Sequence, residues 1–182
     1  MCRTCDPGYF LENRRCRTCD PNFSLENGIC KRNTCDETTS RLMNPPELSR
    51  SYSSVYGNQL VGTGHARSMI DSAQAWSAGH TRNGEWLLLD LESDVFVGGL
   101  AMQGRGGQWV KTYSIQYWLD GESLSDAKDV EGGFVFTVTR SYNSGEEEEI
   151  YFETGVLGRY FRILPQSWAS HISMRAGLMV CD

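Results

Sequence analysis

No run of roughly 18 apolar residues occurs anywhere in this chain, which excludes a membrane-crossing helix. Positive charge is also in short supply: 17 Lys and Arg stand against 23 Asp and Glu, a formal charge of −6 with a pI near 5.1. That balance disfavours nucleic acid as a partner and any purely electrostatic attachment to anionic lipid, while leaving room for a local basic patch. Histidine is scarce, and the three present, His65, His80 and His171, lie far apart in sequence. No Gly-x-Ser-x-Gly elbow occurs and no cysteine stands out as a nucleophile, so no catalytic activity is expected. Behind Met1 there is neither a basic nor an apolar leader region, so no signal peptide is expected here. Disorder is excluded as the main description, because 40% of the 182 residues are apolar and 11% aromatic.

What the chain has in plenty is cysteine, seven in all and five of them within residues 1–30. Such density is typical of disulfide-stapled extracellular modules. The chain therefore reads as a fragment or mature piece of a larger secreted or cell-surface protein, and the odd count as a cysteine whose partner lies upstream or in another chain. Residues 2–16 and 16–30 repeat Cys-Arg-Thr-Cys-Asp-Pro, an aromatic, then Leu-Glu-Asn, with a period of 14. So few apolar side chains cannot fold either unit by burial alone. Two chemistries fit the spacing. One is zinc, held by Cys2-x2-Cys5 and Cys16-x2-Cys19 as paired knuckles. The other is disulfides, with Cys5 to Cys16 and Cys19 to Cys30 closing two equivalent loops and Cys2 left unpaired. Pairing Cys2 with Cys16 and Cys5 with Cys19 is also geometrically allowed. The return of Cys30 at the same interval and the short loop between the knuckles favour disulfides over zinc. Asn22 is a candidate N-glycosylation acceptor. The repeat resembles the short cysteine-rich, EGF-like or growth-factor-receptor-like units of many extracellular proteins.

At Cys35 the composition changes, and no further cysteine occurs until Cys181. A bridge between these two would close a loop of well over a hundred residues, worth about 5 kcal/mol in the chain-entropy model. Residues 44–64, rich in Pro, Ser, Gly and Tyr, predict a loop, and 65–76 lack helical periodicity. Strands are predicted at Glu85–Leu91, Val95–Gln103, Trp109–Leu119, Phe134–Thr139, Glu149–Phe152, Arg159–Pro165 and Ile172–Val180, separated by turn residues. Trp109–Leu119 has the cleanest alternation, with Trp109, Tyr113, Ile115, Tyr117 and Leu119 on one face and Thr112, Ser114 and Gln116 on the other. Many strands and almost no helix make 35–182 an all-β, antiparallel sandwich or jelly roll behind a small disulfide-rich segment, 1–34.

Cys35, His65-Ala66-Arg67, Trp76, Trp86-Leu87-Leu88-Leu89-Asp90-Leu91, Gln103-Gly104-Arg105, Gln108-Trp109-Val110, Tyr113, Asp120-Gly121, Gly158-Arg159-Tyr160-Phe161-Arg162-Ile163-Leu164-Pro165, Trp168, Met174-Arg175 and Cys181, taken in order, resemble the discoidin domain, also called the coagulation factor V/VIII type C domain. The resemblance implies an eight-stranded jelly-roll β-sandwich, a disulfide joining its ends through Cys35 and Cys181, and ligand binding by three loops at one pole. Those loops fall at Ser51–Val61, Gly104–Trp109 and near Arg140–Gly145. The candidate contact residues are Tyr52, Val55 and Tyr56 in the first, Arg105, Gln108 and Trp109 in the second, and Arg140 and Tyr142 in the third. Tyrosine among Ser and Gly suits adaptable recognition, and an indole beside a guanidinium can stack on a sugar or hold an acid. The sequence departs from the family pattern at Pro45-Pro46-Glu47, at Leu60-Val61, at Leu124 where a tryptophan is expected, and at the acidic run Glu146–Glu149.

Arg67, Arg159, Arg162 and Arg175 lie in or beside strands and read as structural, bonding carbonyls or pairing with an acid such as Asp90. The run Glu146–Glu149 is a poor calcium site, because consecutive strand residues point to opposite faces; a solvated edge is expected, with no metal or cofactor. The favoured function is an extracellular recognition or adhesion module binding glycan or protein ligands. Peripheral attachment to anionic phospholipid through exposed apolar loop tips is the alternative, less favoured because the chain is acidic. A purely architectural role in a surface assembly is the third.

Overall fold

The structure, a computed structural model, describes residues 35, 38–128, 131–139 and 146–181 with their side chains, and the backbone of strands at 10–12, 15–17, 23–26 and 29–32. The chain divides into two compact units, residues 1–34 and 35–182. In the first, strand β1 (Phe10–Glu12) pairs antiparallel with β2 (Arg15–Arg17), and β3 (Phe23–Glu26) with β4 (Ile29–Arg32). Leu11 faces Cys16 in one hairpin and Leu25 faces Cys30 in the other, so the sequence period of 14 is also the period of the backbone register. Cys2, Cys5, Cys19, Asn22, Arg140 and Tyr142 lie outside the described residues, as do the side chains of Cys16 and Cys30.

The second unit is all-β, built from one curled antiparallel sheet of nine strands. They are β5 (Ser40–Met43), β6 (Arg50–Tyr52), β7 (Trp76–Ser77), β8 (Leu87–Gln103), β9 (Trp109–Trp118), β10 (Ser125–Asp126), β11 (Phe136–Thr137), β12 (Glu147–Ala169) and β13 (Ser173–Cys181). The sheet order is β10-β9-β12-β8-β13-β5, with β11 also on β9, β6 on β8 and β7 on β13. Among the described residues no α-helix occurs, only 3-10 turns at Glu47–Ser49 and Tyr56–Asn58.

The two longest strands merge segments that the sequence separates. Expected strands 85–91 and 95–103 form the single β8, bent at Glu92–Asp94, where the residues are exposed and Glu92 has φ 63°. Expected strands 149–152 and 159–165 likewise join in β12, whose register against β8 shifts between Tyr151 and Val156 and between Gly158 and Tyr160. The turn residues act as irregularities within a continuing strand, and these let the sheet curl on itself. Short β5 and β6 lie where no strand is predicted, because three or four residues carry too little periodicity; their partners on β13 and β8 make them strands. The predicted strand 134–139 contracts to Phe136–Thr137, with Phe134 and Val135 exposed.

Strand β9 corrects the expected face of Trp109. Its register against β12 pairs Val110 with Trp168 and Thr112 with Ser167, leaving Lys111 as an extra, exposed residue. That bulge inverts the alternation, so Val110 is buried with Tyr113 and Ile115 while Trp109 is only partly buried against the core.

The core holds Trp76, Leu87, Leu89, Leu100, Met102, Tyr113, Ile115, Phe136, Phe161 and Ile163, all fully buried, with Tyr113 and Phe136 stacked at 5.4 Å. The ends of the unit are joined by the disulfide Cys35–Cys181, across a sequence separation of 146. A buried cation completes the frame. Arg50 donates to the carbonyls of Pro45, Ser68 and Ala176 and to the side-chain oxygens of Ser68 and Asn44. Burial pushes its pKa down to about 10, still a cation at neutral pH. The four arginines read as structural separate into two kinds. Arg67 donates to Gly62, Arg175 to Ser72 and Gly104, and Arg159 pairs with Asp90 and Asp120. Arg162 instead stacks between Trp86 and Trp118, 5.1 Å from each ring centre.

Candidate ligand cleft

Residues 51–66 form an ordered first loop despite their polar composition. Tyr52 stacks on buried Trp76 with ring centres 5.7 Å apart, and the Trp76 indole donates to the Ser54 carbonyl at 2.8 Å. The hydroxyls of Ser53 and Ser54 both donate to Glu85, itself buried. Further along, Asn58 N–H donates to Val55, Thr63 N–H to Leu60 and Gly62 N–H to Ala66. So many backbone groups satisfied within the loop make it a fixed scaffold. It presents Tyr56, 55% exposed, at its tip.

The second wall is a two-residue hairpin turn between β8 and β9. Arg105 N–H donates to Gln108 at 2.8 Å and Gln108 N–H donates back at 2.6 Å. The central residues, Gly106 and Gly107, have φ of 36° and 78°, the backbone that such a turn demands and that glycine adopts without strain. Both neighbours of the glycine pair therefore project from a rigid frame.

Between these walls lies a cleft of about 330 Å³ lined by Tyr56, His65, Ser77, Arg105, Gln108 and His171. Tyr56 meets both imidazoles edge-on, His65 at 5.3 Å and His171 at 6.1 Å between ring centres. Arg105 Nη1 lies 3.0 Å from His65 Nδ1 and 3.2 Å from Ser77 Oγ. A guanidinium only donates, so His65 accepts at Nδ1 and carries its proton on Nε2. At His171 the order reverses, because Nδ1 donates to the Ile172 carbonyl at 3.0 Å. Burial first, then the charges of Arg105 and His171, hold His65 below its ordinary pKa of 6.5. None of the lining residues is a carboxylate, and among the described residues none pairs with Arg105. The cleft is thus a cationic, donor-rich surface in a chain of net charge −6.

Of the residues that the sequence proposes, Tyr56, Arg105 and Gln108 line this cleft. Tyr52 stands behind it, its hydroxyl bonded among Glu47, Ala66 and Ser68 and its ring on Trp76. Val55 and Trp109 are partly buried against the core. The lining residues His65, Ser77 and His171 are not among the sequence candidates. Sequence distance misleads for the histidines, since 65 and 171 converge in space. Ser77 is not placed as a nucleophile: it is buried, bonded to Ser173 and Arg105, and the nearest imidazole nitrogen already accepts from Arg105.

Fold and cleft together define a discoidin-type β domain. The chain belongs to the F5/8 type C domain family, whose model matches residues 50–178. It is 34% identical over 113 residues to lactadherin of Sus scrofa, a match covering 59% of this chain and 27% of that protein. The chain thus corresponds to about a quarter of that relative's length. Among solved structures it is similar to discoidin II of Dictyostelium discoideum, with a TM-score of 0.55, 22% identity and coverage of 73% of this chain and 55% of the other. It is also similar to the family 32 carbohydrate-binding module of C. perfringens NanJ, solved in complex with galactose, with a TM-score of 0.54, 12% identity and coverage of 79% and 98%.

Proposed function

We propose that residues 35–182 form a non-catalytic extracellular recognition module that binds glycan in the cleft of Tyr56, His65, Ser77, Arg105, Gln108 and His171. The observation that carries this reading is the combination in one preformed hollow of an exposed aromatic ring with guanidinium, amide, imidazole and hydroxyl groups. Sugars offer apolar C–H faces for a ring to cover and hydroxyls for such groups to bond. The galactose held by the similar module supports the assignment of class. Residues 1–34 act as a disulfide-linked spacer of EGF-like or growth-factor-receptor-like repeats within a longer protein outside the cell. A glycan array probed with the chain and with its Tyr56→Ala and Arg105→Gln variants tests the binding reading: hits lost in both variants support it, and an empty array overturns it. Mass measurement before and after alkylation tests the cross-links.

A second reading rests on Leu60, 79% exposed, next to Val61 at 39% in the same loop. These apolar side chains suit insertion into a lipid surface. Sedimentation with phosphatidylserine vesicles at low and high salt tests it; salt-resistant binding lost in Leu60→Ser would favour the membrane over the glycan.

A further inference from the structure

We infer that the cleft selects sugars bearing a carboxylate, clasped by Arg105 beside the two imidazoles, and that it binds them more tightly as the solution is acidified. This inference rests on the glycan reading and deepens it. Its basis is an imbalance of charge. Arg105 is held by two neutral partners, His65 Nδ1 and Ser77 Oγ, and by no carboxylate among the described residues. Elsewhere in this domain some cations do meet carboxylates: Arg159 has Asp90 and Asp120, while His80 and Arg82 have Glu85. The lining of the cleft itself supplies Arg105 with no anion. Only one guanidinium nitrogen is engaged in the contacts above, so the planar fork retains donors for an oxygen pair, the geometry for which arginine surpasses lysine.

A neutral sugar would leave that charge uncompensated inside a hollow bounded by rings. A carboxylated one would supply the missing anion while its ring rests against Tyr56 and its hydroxyls reach Gln108. The groups facing His65 are the phenol of Tyr56 from the first loop, Arg105 from the β8–β9 turn, His171 from the β12–β13 loop and the Ser77 hydroxyl from β7. Two of these are basic and none is acidic. Burial first, and then the charges of Arg105 and His171, hold His65 below its ordinary pKa; an anion among them offsets the repulsive part, so binding favours proton uptake. The sugar carboxylate itself stays ionised down to about pH 4. Affinity therefore rises between about pH 8 and about pH 5.

The test is calorimetric titration of the full chain with methyl β-glucuronide against methyl β-glucoside, and with sialylated, sulfated and plain lactose. Each titration is run at about pH 8 and about pH 5.5, the window in which histidine titrates. The expected result is at least about a tenfold preference for the carboxylated member, the size of one charge-assisted contact. That preference should grow on acidification, weaken with salt and vanish in Arg105→Gln. Equal affinity for acidic and neutral members overturns the inference while the glycan reading stands. Equal or tighter binding of sulfated lactose overturns the choice of carboxylate, as does equal competition by free acetate. Binding that is flat with pH overturns the proton linkage. If no sugar of either kind binds, and the array is also empty, both readings fall.

Discussion

The guanidinium of Arg50 and the carbonyl of Ala176 are 126 residues apart in sequence and 2.7 Å apart in the fold. This one side chain also holds Pro45, Ser68 and Asn44, tying the chain ahead of the first loop to β13. Arg50→Met is expected to destabilise the domain by about 3–5 kcal/mol, because it strands several buried carbonyls at once. Arg50→Lys should cost nearly as much, since an ammonium cannot span the same fork of acceptors. Urea unfolding followed by tryptophan fluorescence measures both, and a loss below about 1 kcal/mol in the methionine variant would refute the role.

Gly98 makes room for the terminal clamp. A Cβ there would lie 2.1 Å from Cys35 Sγ and 2.2 Å from its Cβ. Gly98→Ala should therefore fail to hold the bridge in place and lose a large part of the roughly 5 kcal/mol that closing so long a loop supplies. Comparing its thermal midpoint with that of the Cys35→Ser, Cys181→Ser double variant checks this; an alanine variant as stable as the parent, with the bridge intact, would contradict it.

The turn between Arg105 and Gln108 needs glycine for its backbone alone. No atom lies within 4 Å of a Cβ built at Gly106 or Gly107, so only the positive φ resists substitution. Alanine at either position should cost about 1 kcal/mol. A β-branched Gly107→Val should cost more, and it should weaken glycan binding by misaiming Arg105 with no change at any contact residue. Binding that survives Gly107→Val unchanged would show that the turn does not aim the site.

Tyr52 and Tyr56, four residues apart, are expected to separate stability from binding. Tyr52→Ala removes a ring stacked on Trp76 and should cost about 3 kcal/mol or more. Tyr56→Ala, at an exposed position, should stay within about 0.5 kcal/mol of the parent yet lose glycan binding. The two titrations and two melts form a simple cross. Equal effects of both variants on both readouts would dissolve the distinction.

Asp90 should report on acid unfolding. Its carboxyl is held below the ordinary value of 3.8, first by the bond from Arg159 and further by Glu92 N–H. A depressed carboxylate stabilises the fold above its unfolded pKa, and the contribution is lost as pH falls through the folded value. Asp90→Asn should thus be less stable than the parent at neutral pH, with the difference closing below about pH 4. Denaturant unfolding at stepped pH measures the gap; a difference constant down to about pH 2 would contradict the assignment.

Features of this domain fixed by neighbours in the chain are legible before any coordinates. The Tyr113-Ile115-Tyr117 alternation and the 14-residue period of residues 2–30 follow from local pattern, whereas the pairing of each repeat as a hairpin and the two-residue turn at Gly106-Gly107 are seen only in the structure. Even so, one extra residue at Lys111 turns Trp109 away from the face that the alternation assigns it, because a bulge is set by pairing with β12 and leaves no mark in β9 itself. The segments 85–91 and 95–103 are each readable as strands. That they are one bent strand depends on partners in β12 and β13, tens of residues away. The cleft shows the same division most plainly. Tyr56, Arg105 and Gln108 sit in loops whose composition advertises exposure, so sequence alone offers them. His65, Ser77 and His171 look unremarkable in their own surroundings. Only the curling of the sheet, which carries β7 and the start of β13 to the pole beside the β8–β9 turn, turns two distant histidines and a buried serine into walls of one site.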